Sequence, residues 1–88
     1  SSNEEHDLSA AFTITPTPAS NIATIWSTMP AGSSIDLLDL FGRTIMVDKY
    51  EGPGHLLTLS GMQSGTYIVR ISAPGIGQAI QRLQVIQR

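Results

Sequence analysis

Residue types that carry out catalysis are few in this sequence, and their spacing forms no recognisable reactive centre. The two His residues, His6 and His55, are far apart, and the usual Cys partners of zinc are missing because the chain contains no Cys. A general acid–base pair among the carboxylates of the main body is possible, but solvated surface is the favoured interpretation. These carboxylates are scattered over predicted strands and turns: Asp36, Asp39, Asp48 and Glu51.

The remaining candidate motifs also lack the context that their chemistry requires. Ser60 and Ser64 flank glycines, but no helix is expected to follow as in a nucleophile elbow. The spacings 61-x-x-x-65 and 75-x-77 between glycines are better interpreted as turns than as phosphate loops. Trp26 is the single Trp; a core position is favoured, although carbohydrate-binding proteins also use exposed aromatic rings. The sequence therefore predicts a protein that is not an enzyme and uses no cofactor or metal ion.

Length and charge restrict the class further. A chain of 88 residues makes one domain, because a core of this size cannot be divided into two stable halves. The net charge is −2, which argues against the clustered Lys and Arg of a nucleic-acid-binding surface. No apolar run approaches the roughly 20 residues that span a bilayer, so no transmembrane segment is predicted.

The first ten residues differ from the rest of the chain. They contain three of the seven acidic residues, several Ser, and one large apolar residue, Leu8. We expect residues 1–10 to form a flexible linker or tail and residues 11–88 to form the folded domain. The absence of an initiator Met suggests a piece of a longer protein.

From residue 11 onward, short runs rich in Val, Ile and Thr alternate with turn signals about every ten residues, which is typical of a β-sandwich or barrel. The last run also fits a helix with Ile80, Leu83 and Ile86 on one side, but three β-branched residues in eight favour a strand. Seven antiparallel strands are therefore predicted, at residues 12–16, 22–26, 35–40, 44–50, 56–59, 66–72 and 80–87.

Two turns carry the most specific local signals. Residues 39–42 fit a type I turn that begins with Asp39 and ends with Gly42, which should adopt positive φ and return Arg43 along the partner strand. Tyr67 follows a Gly-rich turn and begins a late strand. It is either the tyrosine corner found in immunoglobulin-like sandwiches, with its hydroxyl bonded to upstream backbone, or a plain core aromatic.

Strand periodicity also predicts the core, because inward-facing residues of a strand recur every second position. The residues expected to share the buried face are Phe12, Ile14, Ile35, Leu37, Leu59, Tyr67, Val69, Ile71, Leu83 and Val85.

Several motifs, taken in order, resemble those of a known family. Pro16 and Pro18 follow the first strand. Residues 38–43 carry Asp39, Gly42 and Arg43, and residues 65–71 carry Gly65 and Tyr67. The last strand carries Arg82, Leu83 and Val85, and the chain ends at Arg88. This ordered set is similar to the C-terminal sorting domains of the type IX secretion system of Bacteroidetes. The resemblance covers residues 11–88. Thr17 stands where the family usually has Asn, and Arg82 where Lys is commoner.

The resemblance implies an all-β, immunoglobulin-like antiparallel sandwich of about seven strands that follows a cargo domain in the same precursor. In such a protein the outer-membrane translocon recognises the domain, and a sortase-like peptidase removes it at the cell surface. Cleavage would fall within Ser1 to Ala10, and the cargo would then be joined to anionic lipopolysaccharide. The protein would pass through the periplasm and end at the cell surface or in the medium.

Two other interpretations stay open at the level of sequence. The domain can be a generic adhesion or carbohydrate-binding sandwich whose function lies in its loops, or a spacer without a recognition role. For a sorting domain, the end of the chain is the expected signal: Leu83 and Val85 anchor the last strand while Arg82, Gln84 and Arg88 face outward. If that strand lies at a sheet edge, its free backbone groups can pair with a strand of the receptor.

Overall fold

The computed structural model describes residues 12–16 and 18–87; the predicted tail at 1–10 lies outside this range, as do Thr17 and Arg88. The described residues form seven strands and no helix, which confirms the all-β prediction and the strand interpretation of the last segment. The strands are β1 (Phe12–Thr15), β2 (Ile22–Ser27), β3 (Ser34–Leu38), β4 (Thr44–Lys49), β5 (His55–Thr58), β6 (Gly65–Ala73) and β7 (Gly77–Val85).

The strands make two antiparallel sheets that face each other as a sandwich. The smaller sheet has the order β1-β2-β5 and the larger has the order β4-β3-β6-β7, so β4 and β7 are the two edges of the larger sheet. The prediction of a seven-stranded immunoglobulin-like antiparallel sandwich is confirmed. The β3–β4 pairing shifts by one residue after Leu37, so that Ile45 is an extra residue, a β-bulge, in β4.

Alternating residues of both sheets meet in one core. The expected set is confirmed, with the exception that Tyr67 is only half-buried and packs against the core from its margin. Tyr50, Ala23, Ile25 and Leu57 complete the centre of this cluster. Burying these side chains supplies the main stabilising term for a chain of this size, at about 25 cal/mol per Å² of apolar surface removed from water.

Two features of the strands differ from expectation. β7 begins three residues early because Gly77, Gln78 and Ala79 continue the ladder with β6 around a tight turn. Trp26 is not in the core: it lies half-exposed on the outer face of the small sheet, with its ring against Gly54. The prediction that favoured a buried Trp is wrong because the alternation of β2 directs Ala23 and Ile25, not Trp26, inward.

Candidate functional site

The turn between β3 and β4 is held by a single carboxylate. Asp39 Oδ1 accepts hydrogen bonds from the N–H groups of Phe41 and Arg43, both at 2.9 Å, and Oδ2 accepts one from Arg43 Nε at 2.8 Å. The N–H of Gly42 donates to the carbonyl of Asp39 at 3.0 Å, and Gly42 has φ of 86°. The predicted turn is therefore confirmed, and Asp39 fixes the position of Arg43.

These contacts also determine the charge state of Asp39. Partial desolvation acts to raise its pKa, but the hydrogen bonds from Arg43 and Phe41 outweigh it, and the pKa is held below the ordinary value. Asp39 is thus ionised at neutral pH, and its negative charge is directed into the turn. The side chain of Arg43, by contrast, is 75% exposed, so the cationic end of the pair faces solvent.

Tyr67 combines the two roles that the sequence left open. Its hydroxyl donates to the carbonyl of Gln63 at 2.7 Å, four residues upstream, which is the bond of a tyrosine corner. Its ring is half-buried against the core. The corner prediction is confirmed, and the bond ties the loop before β6 to the strand itself.

The buried and exposed residues of β7 alternate as predicted. Leu83 and Val85 are buried, and Arg82 and Gln84 are exposed on the outer face of the large sheet. The end of the strand is joined by the segment after Pro18: the N–H of Ala19 donates to Gln84 at 2.9 Å, and that of Ile86 donates to Ala19 at 2.8 Å. Pro16 and Pro18 are both exposed, and the Thr15–Pro16 peptide bond is cis.

The separate motifs meet at one end of the sandwich. Gly65 is the partner of Val85 in the β6–β7 ladder, and the Gln87 side chain donates to the carbonyls of Ser20 and Leu59. A shallow groove of about 320 Å³ lies here between the β3–β4 turn and the loop before β6; its lining includes Asp39, Arg43, Gly65 and Tyr67. We call this end, formed by residues 18–20, 39–43, 63–67 and 83–87, the motif pole. Arg88 lies outside the described residues.

The other polar cluster lies at the opposite end and has no catalytic arrangement. His55 Nε2 is 2.9 Å from Asp48 Oδ2, and the N–H of Glu51 donates to His55 Nδ1 at 3.3 Å. Desolvation acts to raise the pKa of Asp48, but hydrogen bonds from His55 and from the N–H of Lys49 lower it overall. Within residues 12–16 and 18–87, no group of three His, Asp or Glu side chains is placed to hold a metal ion.

Two features were missed by the sequence reasoning. Tyr50, at the end of β4, is completely buried, and its hydroxyl both donates to the carbonyl of Ser27 and accepts from its N–H, at 3.0 Å each. The signal available was a second Tyr beside a Gly-Pro-Gly turn. The other feature is the pair Leu40 and Phe41, which project from the β3–β4 turn and are exposed. The sequence alone did not indicate whether this apolar pair is buried or exposed.

The fold and the motif pole define a small all-β domain whose distinctive residues are gathered on one surface and not in a catalytic cleft. Residues 13–86 match the family described as the secretion system C-terminal sorting domain. Because the match covers most of the chain, the protein belongs to this family, whose members are sorting signals of type IX secretion and not enzymes.

Membership of this family supports two general conclusions. A type IX sorting domain interacts with the secretion machinery, and it accompanies a secreted or cell-surface cargo protein. In the described part of the chain, no helix has the length and apolarity needed to cross a membrane. Comparison with curated proteins and with solved structures gives no match.

Proposed function

We propose that residues 11–88 direct a preceding cargo domain of the same precursor from the periplasm across the outer membrane through the type IX translocon. A sortase-like peptidase then cuts within Ser1 to Ala10, and the cargo is attached to anionic lipopolysaccharide at the cell surface or released. The observation that carries this proposal is the family match over residues 13–86. The exposure of Gly42, Arg43 and Gly65 at the motif pole supports it, because a receptor can contact these motif residues together.

We further propose that the translocon pairs a strand with the open edge of β7. The carbonyl of Gln84 accepts from the N–H of Ala19 and not from β6, so the backbone groups of Gln84 point away from the sheet. The β6–β7 ladder is continuous, so Ile80 and Arg82 direct their N–H and carbonyl groups to the same side. In the described part of the chain, β6 is the strand that pairs with residues 77–82, and the Gln81 side chain donates to the Phe12 carbonyl at 3.1 Å; strand addition is therefore proposed at the outward backbone groups of Ile80 and Arg82.

The position of β1 is consistent with cleavage while the domain is bound. Phe12 pairs with Ser27, at the end of the small sheet away from the motif pole. The Phe12 carbonyl accepts from the Gln81 side chain of β7 at 3.1 Å, so the chain that precedes Phe12 joins the domain away from the β3–β4 turn but beside the middle of β7. A peptidase acting within Ser1 to Ala10 need not displace a receptor held at the motif pole.

The test is export of a reporter fused in front of the full chain in type IX-competent cells. Ile80→Pro removes an outward N–H that β6 does not use, so it should leave the ladder intact and block strand addition. Val47→Pro in β4 is the matched control. Tyr50, three positions further on, directs its N–H and carbonyl groups towards Ser33 and Gly32. Because these directions alternate along a strand, the N–H of Val47 faces outward. We expect loss of export for Ile80→Pro only, with both variants folded by circular dichroism.

Side-chain recognition is tested in the same assay. Reversal of charge at Arg82 and Arg88, or deletion of residues 86–88, should block export, whereas Lys49→Glu at the opposite pole should not. Normal export of the folded Arg82 and Arg88 variant would place recognition elsewhere on the domain. If the wild-type fusion stays in the periplasm, the proposed sorting function itself is wrong.

A second function, carbohydrate binding, is favoured by one observation. Trp26 is half-exposed on a face of the small sheet that also carries Thr13, Thr24 and Thr58, and an exposed ring beside hydroxyl groups can stack on a sugar. Retention of the chain on immobilised polysaccharides, and its loss in Trp26→Ala, would support this function. Equal migration through gels with and without polysaccharide would exclude it.

A further inference from the structure

The tip of the β3–β4 turn presents two large apolar side chains to solvent. Phe41 is 87% exposed and Leu40 is 64% exposed, and Phe41 is the most exposed large hydrophobic residue in the described part of the chain. Single exposed apolar residues are ordinary, but this pair borders the groove whose lining also includes Ile45 and Tyr67. The groove at the motif pole therefore combines apolar and polar side chains, and it is separate from the outward edge of β7.

This surface is built on a rigid support. Two backbone hydrogen bonds to the Asp39 carboxylate, from Phe41 and Arg43, fix the turn, and a third bond holds Arg43 Nε. The Arg43 guanidinium lies 5.6 Å from the centre of the Phe41 ring. A preorganised turn loses little conformational entropy on binding, which is a general requirement for a strong contact. Aromatic and Arg residues in such positions are the types that dominate protein–protein binding energy.

The charge of the turn indicates the chemistry of its partner. The Asp39 side chain is mostly buried, and both of its carboxylate oxygens accept hydrogen bonds within the turn. Arg43 extends into solvent, and only its Nε is bonded to Asp39. The groove therefore offers a cation beside its apolar lining. An anionic lipid surface is a poor partner, because the chain has a net charge of −2 and the apolar tip is only two residues.

We infer that Leu40, Phe41, Ile45, Tyr67 and Arg43 form a second recognition site, the turn site, for a protein surface that carries an apolar side chain next to a carboxylate. This inference rests on the proposed function, in that the partner belongs to the secretion machinery. It adds a contact that is independent of β7. The turn site lies at the motif pole, whereas the β7 edge at residues 77–82 extends away from it, so the two contacts can be tested separately.

Export of the reporter fused to the full chain tests the turn site. The double variant Leu40→Ser and Phe41→Ser should lower export at least tenfold while the melting temperature changes little, because both side chains are exposed. Leu56→Ser is the matched control: Leu56 is 61% exposed on the outer face of the small sheet, and its removal should leave export unchanged. Export of the folded double variant at the wild-type level overturns the inference and leaves the β7 proposal standing.

Binding of the purified chain separates a protein partner from a lipid. We expect saturable binding to outer-membrane vesicles from type IX-competent cells, weakened at least tenfold by Phe41→Ser and reduced by Arg43→Gln. No binding is expected to protein-free vesicles of phosphatidylethanolamine and phosphatidylglycerol. Binding to those lipid vesicles that depends on Phe41 would overturn the inference in favour of a membrane contact.

Discussion

The two edge strands of the large sheet, β4 and β7, are protected against strand addition to very different extents. β4 is interrupted by the bulge at Ile45, and the outward N–H of Lys49 is occupied by the Asp48 side chain at 2.8 Å. β7 has nine residues in continuous register; in the described residues, Ala19 pairs with its last part and the Gln81 side chain donates to the Phe12 carbonyl of β1 at 3.1 Å. Bulges and charged residues are the usual protection of an exposed edge.

The two edges of the large sheet therefore differ in how readily another strand can pair with them. A small sandwich with two unprotected edges would associate with itself and with other chains. Here one edge is blunted and the other is left able to pair, beside the motifs of the sorting family. This arrangement is what strand addition to a single receptor requires, and it gives the β7 proposal its physical basis.

The largest difference between the two edges is expected in their contribution to stability. Leu83 in β7 is completely buried, so Leu83→Ala should lower the free energy of unfolding by about 2–4 kcal/mol. Val47 in β4 is 66% exposed, and Val47→Ala should cost less than about 0.5 kcal/mol. Urea denaturation measures both. Equal costs would show that β4 is as firmly integrated as β7.

Two tyrosine hydroxyls bond to backbone near these edges, Tyr50 just after β4 and Tyr67 in β6 beside β7, and these bonds should differ in strength. Tyr50→Phe removes a buried hydroxyl that satisfies two backbone groups of Ser27, so we expect a loss of about 1–3 kcal/mol. Tyr67→Phe removes a bond to Gln63 that is exposed to water, and about 0.5–1 kcal/mol is expected. The comparison fails if Tyr67→Phe proves the more costly change in thermal unfolding.

The contrast between the edges also explains what could be predicted from the sequence. The β7 pattern alternates clearly, so its inward residues Leu83 and Val85 were identified correctly. In β4, Ile45, Met46 and Val47 are all apolar, and no alternation indicates which of them faces water or that Ile45 is a bulge. Burial in an edge strand depends on which other strands cover it, and this is a property of the sheet order.

The same reasoning applies to the candidate site. The Asp39 turn and the Tyr67 corner were predictable because each depends on residues within four positions along the chain. The bonds of Tyr50 to Ser27 and of Ala19 to β7 join residues that are distant in sequence. Their positions follow from the packing of two sheets, and a single sequence offers no local signal for them.

The hairpins that lead into the two edge strands should respond alike to loss of their turn glycines. Gly42 before β4 and Gly75 before β7 have φ of 86° and 76°, and a Cβ at either position would meet no neighbouring atom within 4 Å. The cost of Gly→Val is therefore set by the backbone alone, and about 1–2 kcal/mol is expected at both sites. A melting temperature that is unchanged in Gly42→Val would contradict the turn assignment.

The smallest effect concerns acid, and it separates the two edges by charge. Two carboxylates with lowered pKa belong to the β4 edge, Asp39 in the turn before the strand and Asp48 within it, whereas the sequence of β7 contains no acidic residue. A lowered pKa in the folded state means that these groups stabilise the fold fully above the unfolded value, about 4, and lose that contribution as pH falls through the folded value. Hydrogen exchange at pH 3 and pH 5, corrected for the intrinsic rate, should therefore show protection lost in β4 before β7. In Asp39→Asn the amide oxygen still accepts from the N–H groups of Phe41 and Arg43, but the charge and the hydrogen bond from Arg43 Nε are removed, so the acid-dependent loss near the turn should shrink. Equal loss of protection in β4 and β7, or an unchanged acid response in Asp39→Asn, would show that these carboxylates do not distinguish the two edges.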